Sequence, residues 1–393
     1  MNRPPRLHHG NGSSMTPRIC FVGLSNLPVL AREYGAHGIG GEEVQHTLLA
    51  RALAARGYEV SMVVMDYGQA DGAKWGGIKT YKTYRSEDGL PVLRFFHPRW
   101  TSVWAALKRA DADIYYLSCA SVRVGLTSLF ARKHDRKLVF RIASDTDCEP
   151  QKLLIEYNYW RDRRIYEYGL RHADAILAQS VHQQNTMKRN YGLSSTLASM
   201  LVDQPRDVST FEQRTIPVLW VSNIRQLKRP DLVLEFAART PEIAVHMVGG
   251  RIADSQHVFD ETFQRASELP NVMFHGQIPY HEVNDYFANT LVFMNTSDIE
   301  GFPNSYLQAW SRGTPVVAFF DPDGLIAREG LGVAVRDMEE MRQAVIELTT
   351  NRERWLATSA RCVAFMRRQF NEDRILAPYL DTFRRLTDQR VRA

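Results

Sequence analysis

Cysteine is scarce in this chain: Cys20, Cys119, Cys148 and Cys362 are the only four in 393 residues, far apart and with no CxxC pair. That spacing excludes a disulfide framework or a zinc ribbon as the organising feature and makes a reducing, cytoplasmic setting the expectation. No run reaches the ~18 consecutive apolar residues of a membrane-spanning helix. The first fifteen residues, MNRPPRLHHGNGSSM, lack the apolar centre of a secretory signal and are expected to form a flexible leader. Charge of one sign is not in large excess: 49 Lys and Arg oppose 44 Asp and Glu, for a net charge of +5. A mildly basic surface suits phosphate-bearing small molecules, an anionic membrane face or nucleic acid. With no helix-turn-helix, zinc-finger or RNP-type signature, nucleic acid is not an expected partner.

The composition is that of a globular protein, 44% hydrophobic and 24% charged. At ~150 residues per domain its length allows two to three domains. Buried-strand runs alternate with helical patterns. Arg18–Leu24, Glu59–Met65, Asp113–Ser118, Leu138–Ala143 and Ala175–Ala178 read as strands in the first half. Val218–Ser222, Ala244–Val248, Val272–His275, Leu291–Asn295 and Pro315–Phe320 do so in the second. Glu42–Arg56 carries apolar residues three or four apart and closes on Gly57, as a helix end does. A long helix is expected between Lys152 and His172, anchored by Tyr157, Trp160, Tyr166 and Tyr168. Continuous apolar strands separated by helices predict parallel sheets covered on both faces. The polar, proline-containing stretch Asp203–Arg214 divides the two halves. The expected architecture is therefore α/β: Rossmann-like doubly wound domains over 16–203 and 204–370 facing a cleft, then a helix over 371–393.

Three constellations can carry chemistry. Gly38-Ile39-Gly40-Gly41-Glu42 sits between the first strand and the first helix, where glycines let backbone approach a ligand and a helix N-terminus favours anions. The segment Ser222-Asn223-Ile224-Arg225-Gln226-Leu227-Lys228 follows the first strand of the second half, so Arg225 and Lys228 can project into the cleft and neutralise a diphosphate. The third, Glu300-Gly301-Phe302-Pro303-Asn304-Ser305-Tyr306-Leu307-Gln308, puts a carboxylate at a strand end and an amide on the following helix. So placed, the pair can bracket a polyhydroxylated ligand.

These last residues, with Ala309 and Gly313-Thr314-Pro315-Val316, resemble the signature of the retaining glycosyltransferases of family 4, also called group 1, which have the GT-B fold. Arg56-Gly57-Tyr58-Glu59-Val60, Ala173-Asp174-Ala175-Ile176, Val248-Gly249-Gly250 and Phe274-His275-Gly276 with Ile278-Pro279 are similar to the family in its order, over roughly residues 17 to 388. The resemblance implies that Glu300 contacts donor-sugar hydroxyls and that amides from Phe302 to Ser305, including Pro303-Asn304, hold sugar and diphosphate. It implies that Lys228 is the diphosphate lysine and that the nucleotide base lies near Ile278. Gly40, Gly41, Gly249 and Gly301 would also bind donor. Gln308 stands where the motif's second acid binds ribose, and Asn223 where members carry an arginine, a role Arg225 can take. Arg141 and Asp145 occupy the region of a first-domain histidine, and Asp145 joins Glu300, Lys228 and Arg225 as the catalytic set. In the family the last helix crosses back to the first domain, and Ile375, Leu376, Tyr379, Leu380 and Phe383 make a matching apolar stripe.

The expectation is a metal-independent hexosyltransferase-like enzyme with no cofactor, a nucleotide-diphosphate sugar as co-substrate and a saccharide or lipid-linked acceptor. A basic surface permits peripheral contact with an anionic membrane. Three alternatives remain open on sequence. Asp145-Thr146-Asp147 can be read as the DxD of a metal-dependent glycosyltransferase. Gln308 and Asn223 permit a sugar-nucleotide binder without turnover. Phosphorylases share the fold but need a pyridoxal phosphate lysine, for which there is no clear candidate.

Overall fold

The computed structural model describes residues 16–34, 40–90, 95–156, 159–252 and 255–392. The leader, Gly38, Ile39 and Tyr157 lie outside them. Strands β1 (Ile19–Val22), β2 (Val60–Val64), β3 (Lys74–Trp75), β4 (Ile78–Lys82), β5 (Ile114–Ser118), β6 (Lys137–Arg141), β7 (Ala175–Ala178) and β8 (Thr196–Leu197) form one sheet. Its order is β3-β4-β2-β1-β5-β6-β7-β8. Strands β9 (Ile216–Val221), β10 (Val245–Val248), β11 (Val272–Gly276), β12 (Thr290–Asn295), β13 (Val316–Ala318) and β14 (Gly332–Ala334) form the second. Its order is β11-β10-β9-β12-β13-β14. Every pairing is parallel except β3 with β4. The expected α/β architecture of two doubly wound sheets is observed.

The strands read as continuous apolar runs because helices cover both faces. β1, β2, β5, β7 and β12 are buried at every position. Strand order reverses between β1 and β5 and between β9 and β12. At such switch points adjacent crossovers part and leave a crevice at the carboxyl ends. The two crevices face each other.

Some details differ from expectation. The sequence did not mark the β3–β4 hairpin, whose alternating, half-exposed residues carry no apolar run. Its turn is Gly76-Gly77, both at positive φ (55° and 83°), the two-residue turn that suits a hairpin. The expected single helix from Lys152 to His172 is two helices, Pro150–Glu156 and Trp160–Arg171. Of its aromatic anchors, Tyr166 is fully buried whereas Trp160 is 76% exposed. The polar divider ends on Arg214, which is buried and donates to the carbonyls of Ser209, Phe287, Thr290 and Arg312.

The last helix, Glu372–Arg392, lies against the amino-terminal half. Tyr379 Oη donates to Ser199 O at 2.9 Å, and Arg56 pairs with Glu372 and Asp373. Ile375, Leu376, Tyr379, Phe383 and Leu386 are buried in a core that includes β1 and β2. At ~1.5–3 kcal/mol each, five such side chains contribute a gross ~7–15 kcal/mol, an upper bound.

Candidate active site

The facing crevices make one cleft of about 620 Å³. All eleven residues expected to bind donor line it, as do Glu300, Lys228 and Arg225. Asp145 does not: its carboxylate accepts from Gln183 Nε2 at 3.0 Å, with burial raising its pKa.

The carboxyl-terminal wall is built from four strand ends. The loop after β9 is held in place by the loop after β12. Thr296 Oγ1 donates to Lys228 O at 2.8 Å or Arg229 O at 2.9 Å, and Asp298 N donates to Leu227 O at 3.0 Å. This tie turns Lys228 toward Glu300, and Lys228 Nζ lies 2.7 Å from Glu300 Oε1. Their side chains are 20% and 14% exposed, so the pair is neither surface nor core. The loop after β10 begins with Gly249, where an added Cβ would stand 2.2 Å from Ser222 O. Only glycine lets these two loops lie together beside Asn223.

After Glu300 the chain makes a Gly-Phe-Pro turn into the helix Asn304–Ser311, which has no side-chain cap. Uncapped N–H groups at such an end favour an anion. Gln308 is one turn on and 8% exposed, and its Nε2 donates to Asn284 Oδ1 at 3.0 Å. Arg225 is exposed at the rim; on the opposite wall burial raises the pKa of Glu43, a shift that the charge of Arg225 partly opposes.

The amino-terminal wall meets this turn directly. Gly301 forms an antiparallel bridge with Ser144, and an added Cβ there would lie 2.4 Å from Ala143 O. Phe302 N donates to Gln179 Oε1 at 3.1 Å, while Gln179 Nε2 donates to Ile142 O at 2.8 Å. Asn304 Nδ2 donates to Gly41 O at 2.8 Å, and Gln45 Nε2 donates to Asn304 Oδ1 at 2.8 Å. The halves are thus stitched together across the cleft, and two groups expected to bind donor, the Phe302 amide and Asn304, are held by protein partners in this conformation.

Sequence reasoning missed Gln45, Gln179 and Asn284. Gln45 had a signal, since it follows Gly41 by one helical turn and shares its face. Gln179 and Asn284 had none, because their partners are more than a hundred and more than twenty residues away. Glu42 is notable for its protonation: burial, with Glu43 beside it, pushes its carboxyl up to about 7. The buried imidazole of His46 is pushed down to about 3, chiefly by desolvation and by Arg141 and Arg123 nearby, and its Nε2 is 2.7 Å from Ser118 Oγ. Neither acid of the alternative DxD reading is among the residues that line the cleft. Asp147 accepts from the backbone N–H groups of Ala120, Ala143 and Ser144, and so caps the loop after β6.

Two Rossmann-like sheets facing a cleft, with the chain crossing back at its end, define the GT-B fold. Residues 216–351 match the family described as glycosyl transferases group 1, and residues 40–198 match the glycosyl transferase 4-like domain. The chain belongs to the group 1 glycosyltransferases. It is 27% identical over 175 residues to the O-antigen biosynthesis glycosyltransferase WbnH of Escherichia coli, covering 42% of this chain and 48% of WbnH. The chain thus spans about half the length of the curated relatives it matches. Among solved structures it resembles sucrose-phosphate synthase from Thermosynechococcus elongatus, with a TM-score of 0.74 at 15% identity over 95% of this chain and all of that one. It also resembles HepE of Anabaena in complex with UDP and glucose, with a TM-score of 0.68 at 16% identity over 96% of this chain and all of that one. At these identities the structural likeness concerns the fold.

Proposed function

We propose that the protein transfers a sugar from a nucleotide-diphosphate donor to an acceptor hydroxyl, with retention of configuration and without a metal. The observation that carries this reading is the Lys228–Glu300 pair at the carboxyl ends of β9 and β12, beside an uncapped helix N-terminus. A donor laid along this wall places its diphosphate by Lys228, Arg225 and the amides at Asn304 and Ser305. Lys228 then turns from Glu300 to the phosphates, and the carboxylate is released to accept from sugar hydroxyls. Negative charge grows on the leaving diphosphate as the glycosidic bond breaks, so these cations stabilise the transition state more than the ground state. Gln308 accepts from and donates to the ribose hydroxyls without adding charge. The base sits against Ile278. Asp145 acts on the opposite wall through Gln183 rather than on substrate.

The kinship with an O-antigen glycosyltransferase supports a place in surface polysaccharide or glycolipid assembly. Contact with an anionic membrane face is supported by one patch on the amino-terminal half. There Trp160 (76% exposed), Tyr159 (62%) and Leu129 (45%) stand with Arg161 and Arg164. Aromatic side chains with cations beside them suit a lipid interface. No helix among the described residues is long and apolar enough to cross a membrane.

A thermal-shift screen of UDP-, GDP- and ADP-sugars tests the donor reading. A cognate donor at 100 Kd stabilises by ~2.7 kcal/mol. Absence of any shift, with no nucleotide release in the presence of acceptor extracts, would remove it.

A further inference from the structure

Among the described residues three arginines are buried, and they differ in how their charge is met. Arg214, 6% exposed, donates to main-chain carbonyls of four residues and to Thr314 Oγ1. Arg312, 5% exposed, donates to the carbonyls of Asp203 and Gln308 and lies 3.6 Å from the Asp203 carboxylate. Arg141 is the most buried, at 2% exposed, and it lines the cleft. Its Nε and Nη2 have no hydrogen-bond partner.

The groups around Arg141 do not balance it. Tyr116 and Cys119 are held by burial well above their usual pKa ranges, and His46 well below its own, so none of the three carries an offsetting charge. Tyr379 reaches the guanidinium from the last helix as a hydrogen-bond partner. Among the described residues no acid forms an ion pair with Arg141, and two acids of this wall, Asp147 and Glu42, are otherwise engaged. Asp147 is bound by three main-chain amides. Glu42, with a pKa near neutrality, lies by Cys119 and 3.9 Å from His46 Nε2. Arginine does not lose its proton in proteins, and a buried charge is costly unless it is paired. Arg141 ends β6 and lines the cleft on the wall opposite Glu300, with both surplus donors buried behind that wall.

We infer that Arg141 anchors an anion subsite in the amino-terminal wall, which receives a carboxylate or phosphate borne by the acceptor or by the donor sugar. This rests on the glycosyltransferase reading and narrows its substrates to acidic or phosphorylated saccharides. Planar guanidinium donors suit either group by a two-pronged contact.

The test is calorimetric titration of the nucleotide-saturated protein with matched pairs: methyl glucuronide against methyl glucoside, and glucose 6-phosphate against glucose. A third pair, UDP-glucuronate against UDP-glucose, is titrated into nucleotide-free protein. At least one anionic member is expected to bind about tenfold or more tightly than its neutral twin. Preference in the first two pairs assigns the anion to the acceptor, and in the third to the donor. Arg141→Met should erase the preference while leaving the neutral twin's affinity within about twofold, and Arg141→Lys should restore part of it. Equal binding within every wild-type pair would overturn the subsite, as would a preference that survives in Arg141→Met. Turnover with a cognate donor is scored separately. Transfer without anion preference leaves the enzyme reading intact and sinks the subsite, and anion preference without transfer does the reverse.

Discussion

If the donor binds by drawing Lys228 off Glu300, the pair should be energetically coupled in the free protein and less so in the liganded one. Exposed pairs contribute ~0–1 kcal/mol, whereas breaking a fully buried pair costs ~3–5 kcal/mol because one charge is left stranded. Side-chain exposures of 20% and 14% place this pair between those limits. Lys228→Met should therefore destabilise by ~1–3 kcal/mol, since among the described residues Glu300 has no other side-chain hydrogen-bond partner to replace the ammonium. Glu300→Gln should cost somewhat less, because the lysine is the more exposed member and can reach water. In the double variant the stranded charge is gone, so a thermodynamic cycle should return a coupling of ~1–2 kcal/mol. At ~2–4 °C per kcal/mol for a domain of this size, each single variant shifts Tm by a readable amount. The assay is chemical and thermal denaturation of the four proteins, with and without saturating nucleoside diphosphate. Ligand should reduce the coupling by about half or more. Strict additivity within ~0.5 kcal/mol in the free protein, or a coupling unchanged by nucleotide, would refute the exchange.

Other outcomes follow from the same geometry. The Glu42 carboxyl, pushed up to about 7, binds a proton in the native state that the unfolded chain releases near its ordinary range, so stability should fall as pH rises from ~4.5 through 7. Glu42→Gln should flatten that limb and raise Tm at pH 8 relative to wild type, with little difference at pH 5; equal slopes would contradict the burial argument. Gln308→Ala should raise the donor KM about tenfold, ~1.4 kcal/mol, with a smaller change in kcat, while Gln308→Glu keeps activity. Loss of kcat in the alanine variant would make Gln308 more than a binding residue. Gly301→Ala should part the two walls, because its Cβ would stand 2.4 Å from Ala143 O. A larger radius of gyration in solution scattering and a weaker donor affinity are expected, and an unaltered profile with full activity would argue against the stitched cleft. EDTA should leave transfer unchanged; its abolition, with rescue by Mn²⁺, would overturn the metal-free reading.

The fold was legible because its strands carry apolar runs that need no partner to be recognised, and the carboxyl-terminal wall because Glu300 to Gln308 is one short segment. The pairing of Lys228 with Glu300 was less so. Both were singled out for a ligand, but their 2.7 Å contact depends on Thr296 tying two loops that only the sheet brings together. The amino-terminal wall was largely hidden. Gln179 meets Phe302 and Gln45 meets Asn304 across separations of 123 and 259 residues, and no spacing rule spans such distances. Asp145, expected in the catalytic set, is not among the residues that line the cleft, and its bond from Gln183, 38 residues away, had no signal in the sequence. Leu380, expected in the docking stripe of the last helix, packs partly buried against that core, and Leu386, one turn past Phe383, extends the stripe beyond the expected residues.

The central claim is that Lys228 neutralises the leaving diphosphate of a nucleotide sugar. Its most direct test is kcat/KM for sugar transfer by wild type and Lys228→Ala, measured with the donor that the screen identifies. A fall of about 10²-fold or more, expressed in kcat as well as KM and with the fold retained by circular dichroism, is the expected result. An unchanged kcat in a folded Lys228→Ala protein would contradict the account.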